Sequence, residues 1–194
     1  MVVSTLKKRN AYLETQFTTR ESKETNDMVL EGYFVKFNSE TEIFEGYFEK
    51  IAPQAIKELK GADIRALFNH DTSMVLGRTV NDTLKLAKDE VGLKGTITIN
   101  QEDPEAVAVY ARVKRGDISG CSFGFYVTSN EIEKRSDGTV LDTITGLELI
   151  EVSTVTFPAY PQTEINARSK DLEVFKSKEL NFRKAELKER FKNE

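Results

Sequence analysis

The sequence is poor in several residue types on which common functional sites depend. Its 194 residues include one histidine, one cysteine and no tryptophan. A single cysteine cannot form an internal disulfide, which fits a reducing compartment. One histidine without a cysteine cluster cannot supply the ligands of a usual zinc site. No phosphate-binding glycine loop or dinucleotide fingerprint is present either. We therefore expect no metal and no cofactor.

Long apolar runs are also missing. No stretch approaches the roughly 18 apolar residues that cross a bilayer, and the N-terminus lacks a signal-peptide pattern, so we expect no membrane contact and a protein that stays in the cell that makes it. The net charge of −4 gives no reason to expect nucleic-acid binding. A hydrophobic content of 39% and a charged content of 31% fit a globular domain with a highly charged surface.

The most informative stretch of the chain is GDISGCSFGF, residues 116–125. From Ser119 onward its alternation predicts a β-strand whose cysteine and two phenylalanines point into a core. Ser122 and its flanking glycines then share the other face, where the hydroxyl is open to approach. This favours Ser122 as a nucleophile over Ser119, which shares the core-facing parity. The same parity buries Cys121, where a thiol is normally inert packing.

A nucleophilic serine needs a neighbouring base, and histidine is the usual one. The only histidine, His70, ends the apolar run of LFNH and precedes Asp71. A hydrogen-bonded structural histidine is the alternative interpretation. Asp71 could orient the imidazole, but a sequence neighbour rarely points in the right direction.

A better source of the orienting acid is the stretch LELIEVSTVTFPAYP, residues 147–161. Glu151 lies between Ile150 and Val152, where burying a carboxylate requires a partner such as His70. Strand alternation predicts that Glu148 lies on the opposite face as a surface charge, although a one-residue bulge would reverse this parity.

Three sequence blocks follow one another along the chain: LFNHD (residues 67–71), GCSFGF (120–125) and EVSTVTFPAY (151–160). Together they resemble the signature blocks of the prohead proteases of tailed bacteriophages, which are capsid-maturation serine proteases distantly similar to the assemblin proteases of herpesviruses. The resemblance covers roughly residues 28–167. It implies that His70 is the base and Ser122 the nucleophile, with Glu151 in place of the second histidine of the herpesvirus enzymes.

The resemblance also implies a function. The protein would be a serine endopeptidase that processes the major capsid protein with its scaffold segment, and itself, inside the portal-containing procapsid in the host cytoplasm. A homo-oligomer is compatible with this role. Backbone N–H groups near the serine strand, or an arginine such as Arg78 or Arg112, would stabilise the oxyanion. A catalytically weak scaffolding or assembly protein on the same barrel is the alternative, but the intact blocks favour the enzyme.

The pattern of elements predicts an α+β fold: a mostly antiparallel, closed or nearly closed β-barrel with peripheral helices, herpesvirus-protease-like by resemblance. A helix is predicted between Asp103 as N-cap and Gly116, with Pro104 at its first position, and a shorter one over residues 53–59. The predicted strands form a hairpin of 12–19 with 28–37, a hairpin of 74–80 with 83–87, and strands over 90–99, 119–127 and 143–157.

The composition divides the chain into two parts. Residues 1–167 are predicted to form the protease domain, and residues 168–194 a charged helical tail with a thin apolar stripe. The tail could be a solvated helix packed on the domain, or a segment that docks on scaffold or capsid protein.

Overall fold

The computed structural model describes residues 8–14, 17–21, 27–57 and 59–157. All of them lie in the first of the two units into which the chain divides, Met1–Ala159. The tail and the boundary predicted near residue 167 lie outside the described residues and stay predictions. The described elements are β1 (Lys8–Glu14), β2 (Thr18–Glu21), β3 (Met28–Lys36), β4 (Thr41–Phe44), β5 (Tyr47–Ile51), β6 (Arg65–Phe68), β7 (Asp71–Arg78), β8 (Leu84–Lys88), β9 (Gly92–Thr98), α1 (Pro104–Arg115), β10 (Gly120–Lys134) and β11 (Val140–Val155).

These strands form two sheets. A seven-stranded sheet follows the order β1-β10-β11-β5-β4, with β6 pairing β11 and β7 pairing β6, and a four-stranded sheet follows the order β2-β3-β9-β8. Only the pairings of β11 with β5 and with β6 are parallel among the described strands. The fold is therefore mostly β and α+β, as predicted. Neither sheet closes on itself within the described ranges, so the predicted barrel is not confirmed.

One hydrophobic core connects both sheets and the helix. It contains Leu30 and Ile97 from the smaller sheet, Phe125 and Val152 from the larger sheet, and Val109 from α1. All five are fully buried. Burying such side chains stabilises the fold by about 1.5–3 kcal/mol each, and it fixes the strands that carry the site.

The helix α1 begins and ends as the sequence predicts. The side chain of Asp103 accepts hydrogen bonds from the backbone N–H groups of Glu105 and Ala106. At the other end Gly116 has a φ of 90°, a left-handed conformation that glycine adopts without strain. Within the described part of the chain, no helix combines the length and apolar character that a membrane span requires.

Of the two predicted hairpins, that of 74–80 with 83–87 is wrong in its pairing and that of 12–19 with 28–37 is confirmed only in part. β7 pairs with β6 and β8 pairs with β9, so the two strands that surround Asn81–Asp82 belong to different sheets. A 3-10 turn over Thr79–Asn81, followed by Asp82 at a φ of 57°, redirects the chain instead. In the first hairpin only β2 pairs with β3, because β1 runs along β10. The short helix is reduced to a 3-10 turn, Pro53–Ala55.

A buried polar cluster joins four strands of the larger sheet. The Arg9 guanidinium on β1 lies 2.7 Å from Oε2 of Glu49 and 3.3 Å from Oδ2 of Asp142. The hydroxyl of Tyr47 and the amide of Asn130 donate to the two oxygens of Asp142, at 2.9 and 2.7 Å. Burial lowers the pKa of Arg9, but the two carboxylates outweigh it and raise that pKa. The cluster ties β1 to β5 and β11.

Candidate active site

The two phenylalanines of β10, the strand that carries Ser122, point into the core as predicted. Phe123 and Phe125 are buried in the core, and their rings stack at a centroid distance of 4.9 Å. Ser122 therefore lies on the other face of β10. Ser119 precedes the strand and is exposed, so the prediction that it shares the core-facing side is wrong.

Ser122 is fully buried between β1 and β11, so the prediction that its hydroxyl is open to approach is wrong. Its Oγ donates a 2.8 Å hydrogen bond to the carbonyl oxygen of Ala11 on β1. On its other side Ser122 lies opposite Ser153 of β11, and Gly124 lies opposite Glu151. Opposed residues of an antiparallel pair point to the same face, so Ser122, Ser153 and Glu151 share one face. Gly124 adds no side chain opposite the carboxylate.

His70 lies at the tip of the turn between β6 and β7. Phe68 pairs with Asp71, so Asn69 and His70 form a two-residue hairpin loop. Their φ angles are 51° and 59°, and a tight turn of this kind requires positive φ at both central residues. Neither residue is glycine, and each left-handed residue costs about 1–2 kcal/mol. Surrounding contacts must therefore hold the turn in place.

Asn69 supplies these contacts by binding the end of β11. Its backbone N–H donates to the carbonyl oxygen of Thr154 at 2.9 Å. Its Oδ1 accepts from the backbone N–H of Thr156 at 2.8 Å, and its Nδ2 donates to the Thr156 hydroxyl at 3.2 Å. The turn is thereby fixed to the strand that carries Glu151.

The imidazole of His70 meets Glu151 directly. Nδ1 lies 2.8 Å from Oε1 of Glu151, whose side chain is 3% exposed, whereas that of His70 is 20% exposed. The other ring nitrogen, Nε2, is buried and has no hydrogen-bond partner among the described residues. If Nδ1 carries the proton and donates it to the carboxylate, Nε2 keeps a free lone pair. One ring nitrogen is then fixed by an acid, and the other can take up a proton.

The second oxygen of Glu151 is bound by Ser153. The Ser153 hydroxyl donates to Oε2 at 2.7 Å, and its oxygen accepts from the backbone N–H of His70 at 3.3 Å. Our sequence reasoning did not identify Ser153. A signal was present, because a residue two positions after Glu151 on the same strand points to the same face.

Asp71, the competing acid, is bound within its own turn. Its Oδ1 accepts from the backbone N–H of Ser73 at 2.8 Å and from the Ser73 hydroxyl at 2.6 Å. Both bonds lower the pKa of Asp71, and the bond from the Ser73 hydroxyl has the larger effect. These bonds point the carboxylate towards Ser73, whereas Glu151 is the acid bound to His70.

The prediction for Glu148 is wrong in one respect. β11 has a bulge at Ile150, because Gly124 pairs with Glu151 whereas the next residue of β10 pairs with Leu149. Glu148 consequently lies opposite Tyr126, on the same face of β10 as Gly124. It is nevertheless exposed and lines an open groove with Arg65.

The two arginines considered for the oxyanion lie elsewhere. Nε and Nη2 of Arg78 each donate a 2.7 Å bond to the carboxylate of Asp63. The bond that Arg78 donates to Asp63 raises the pKa of Arg78, and this paired geometry occupies one edge of its guanidinium. Arg112 is exposed on α1.

Cys121 is fully buried, and this burial raises the pKa of its thiol well above its ordinary value. It therefore has the inert packing role that parity predicted. No group of three or more histidine, cysteine, aspartate or glutamate side chains in the described ranges is arranged to hold a metal ion.

Comparisons with known proteins show a match to one protein family. Residues 15–178, most of the chain, match the family model described as caudovirus prohead serine protease. No curated protein matches the chain. The solved structures similar to it include the capsid assembly protease gp21 of bacteriophage T4, at 12% sequence identity and a TM-score of 0.48, covering 76% of this chain and 98% of that one. The family assignment rests on the family model alone.

Proposed function

Because this chain belongs to the caudovirus prohead serine protease family, we propose that its catalytic residues are Ser122 as nucleophile, His70 as general base and Glu151 as the acid that orients the base. The observation that carries this proposal is the 2.8 Å contact between His70 Nδ1 and Glu151 Oε1, while Nε2 has no hydrogen-bond partner in the described part of the chain. Each residue comes from one of the three sequence blocks: His70 from LFNHD, Ser122 from GCSFGF and Glu151 from EVSTVTFPAY.

In the proposed first step, Nε2 of His70 takes the proton of the Ser122 hydroxyl while Oγ attacks the peptide carbonyl carbon. The bond that Ser122 donates to Ala11 must break before this step. Rotation about the Cα–Cβ bond of Ser122 releases it, and a hydrogen bond of this kind contributes about 0.5–1.5 kcal/mol net. Losing this bond is therefore a small cost beside the barrier of peptide hydrolysis, and the substrate carbonyl also needs access to Oγ, which is fully buried in this structure.

The proton on His70 then passes to the amine leaving group, and an acyl-enzyme on Ser122 remains for water to hydrolyse. While the imidazole is cationic, the carboxylate of Glu151 stabilises it. The ring lies largely out of water, so this stabilisation is stronger than it would be at the surface. We assign the oxyanion to backbone N–H groups near β10, because Arg78 is bound to Asp63.

The proposed substrates are the major capsid protein with its scaffold segment, and the protease itself. Cleavage would take place inside the procapsid, in the host cytoplasm. The family's description as prohead serine proteases supports this assignment. A homo-oligomer stays compatible with it.

Co-expression with the major capsid protein of the same phage tests the proposal. Intact mass spectrometry should find a shortened capsid protein with the wild-type chain and only the full-length form with Ser122→Ala. Ser119→Ala is the matched control, because Ser119 is an exposed serine three positions away and should leave cleavage intact. A full-length capsid protein with the folded wild-type enzyme, or cleavage by Ser122→Ala, would count against the proposal.

A further inference from the structure

We propose that Ser153 is a positioning residue of this active site, which holds the Glu151 carboxylate in the plane that meets His70. This inference rests on the proposed roles of His70 and Glu151. Ser153 is fully buried on β11, between β10 and β6. A hydroxyl in such a place needs a partner, and the partners it has both belong to the site.

The hydrogen bonds of Ser153 close a ring. Its hydroxyl donates to Oε2 of Glu151 at 2.7 Å, Oε1 of the same carboxylate lies 2.8 Å from His70 Nδ1, and the backbone N–H of His70 donates back to Ser153 Oγ at 3.3 Å. Two bonds to its two oxygens fix the rotation of the carboxylate about its own axis. Ser153 therefore holds one carboxylate oxygen while the imidazole meets the other.

Ser153 also acts on the turn that carries the base. His70 has a left-handed φ of 59°, a conformation that a non-glycine residue keeps only when its neighbours hold it. The N–H of His70 is directed at Ser153 Oγ. One hydroxyl therefore supports the acid through its proton and the base through its lone pair.

Ser153 lies opposite Ser122, so it could be mistaken for a second nucleophile. Its proton, however, is donated to a carboxylate, whereas Nε2 of His70 has no described partner. A positioning role predicts that Ser153→Ala keeps part of the activity while Ser122→Ala does not. A nucleophilic role predicts the reverse.

The test compares Ser153→Ala with Thr154→Val. Thr154 is the adjacent residue, is equally buried, and its hydroxyl has no hydrogen-bond partner among the described residues. Both changes remove a buried hydroxyl from β11, but only the first removes one bound to Glu151. Single-turnover cleavage of the full-length major capsid protein should be about ten- to a hundredfold slower in Ser153→Ala, with the enzyme concentration at half-maximal rate little changed. Thr154→Val should match wild type, and both variants should melt cooperatively.

A double variant decides whether Ser153 acts through Glu151. If it does, adding Ser153→Ala to Glu151→Gln should slow cleavage much less than Ser153→Ala slows the wild type, because the acid that Ser153 orients is already lost and only its bond to the His70 N–H remains. Losses that multiply would overturn the inference, as would full activity in Ser153→Ala. Full activity in Glu151→Gln would instead remove the proposed triad, so the two failures are distinguishable.

A spectroscopic measurement adds a readout that packing alone does not move. The chain has one histidine, so the ring protons in the NMR spectrum of tag-free protein have a single source. We expect a downfield Nδ1–H resonance from the bond to Glu151 in wild type and in Thr154→Val, and its loss or broadening in Ser153→Ala. An unchanged resonance in Ser153→Ala would overturn the positioning role.

Discussion

The Nδ1 atom of His70 lies 2.8 Å from Oε1 of Glu151, although 81 positions separate the two residues in the chain. The parallel pairing of β6 with β11 creates this contact, because it brings the turn after β6 beside the end of β11. The bonds from Asn69 to Thr154 and Thr156 then hold the turn there. Strand pairing and one turn thus assemble the acid and the base.

Replacing Glu151 by glutamine should slow cleavage by about two to four orders of magnitude, because an amide cannot stabilise the imidazolium as a carboxylate does. The variant should fold and should stay more active than Ser122→Ala. Single-turnover cleavage of the capsid protein measures both. Glu148→Gln is the control, since Glu148 is exposed beside Arg65, and it should change little. If Glu148→Gln lost its cleavage activity while Glu151→Gln kept full activity, Glu148 and not Glu151 would be the acid that assists His70.

Replacing Asn69 should destabilise the protein, and alanine should destabilise it more than glycine. Asn69→Ala removes two side-chain bonds to Thr156 and places alanine at a φ of 51°, so we expect a loss of about 2–4 kcal/mol in the free energy of unfolding. Asn69→Gly loses the same bonds but tolerates the left-handed backbone, so it should lose less. Denaturant unfolding checks the order of the two. An alanine variant as stable as the glycine variant would contradict the strained turn.

The Cys121 thiol should be unreactive in the folded protein. Its pKa is raised by burial, so at pH 8 the thiolate fraction is below that of an exposed cysteine, and the sulfur is also shielded. The chain has a single cysteine, so a thiol reagent such as iodoacetamide can modify one site. We expect no modification of the native protein over hours and complete modification in denaturant. Rapid labelling of the native form would contradict the burial of this face of β10.

Arg9 should matter more to stability than an exposed arginine does. Arg9→Met removes the cation that lies against the buried carboxylates of Glu49 and Asp142, so we expect a loss of about 3–5 kcal/mol in the free energy of unfolding. Arg115→Met is the control, because Arg115 pairs with Asp117 at the end of α1 while 76% exposed. Such a pair contributes about 0–1 kcal/mol. Equal effects in the two variants would mean that the buried cluster does not anchor β1.

The structural features that depend on residues close together in the chain could be predicted from the sequence. The ends of α1 follow from Asp103, Pro104 and Gly116, which act within one turn of the helix. The facing of Ser122 follows from the alternation of Cys121 and Phe123 with glycine and serine at the start of β10, before the first register shift. The choice of Glu151 over Asp71 follows from the difficulty of burying a carboxylate without a partner.

Features set by strand pairing could not be predicted in this way. The turn signal at Asn81–Asp82 is real, yet it leads from one sheet to the other, because the Asn69–His70 turn already pairs β7 with β6. The bulge at Ile150 changes the facing of Glu148 without an evident sequence mark. The contact of Ser122 with Ala11 joins residues from distant parts of the chain, and so depends on how β1 pairs.

Labelling by a fluorophosphonate probe identifies the nucleophile, because such a probe reacts with the activated serine of a serine protease. In enzyme that has been shown to cleave the capsid protein, we expect one adduct per chain, located on Ser122 by peptide mass spectrometry. The adduct should be absent in His70→Ala and slow to form in Glu151→Gln. An adduct on Ser119 or Ser153, or labelling of Ser122 that persists unchanged in His70→Ala, would contradict the roles proposed for Ser122 and His70.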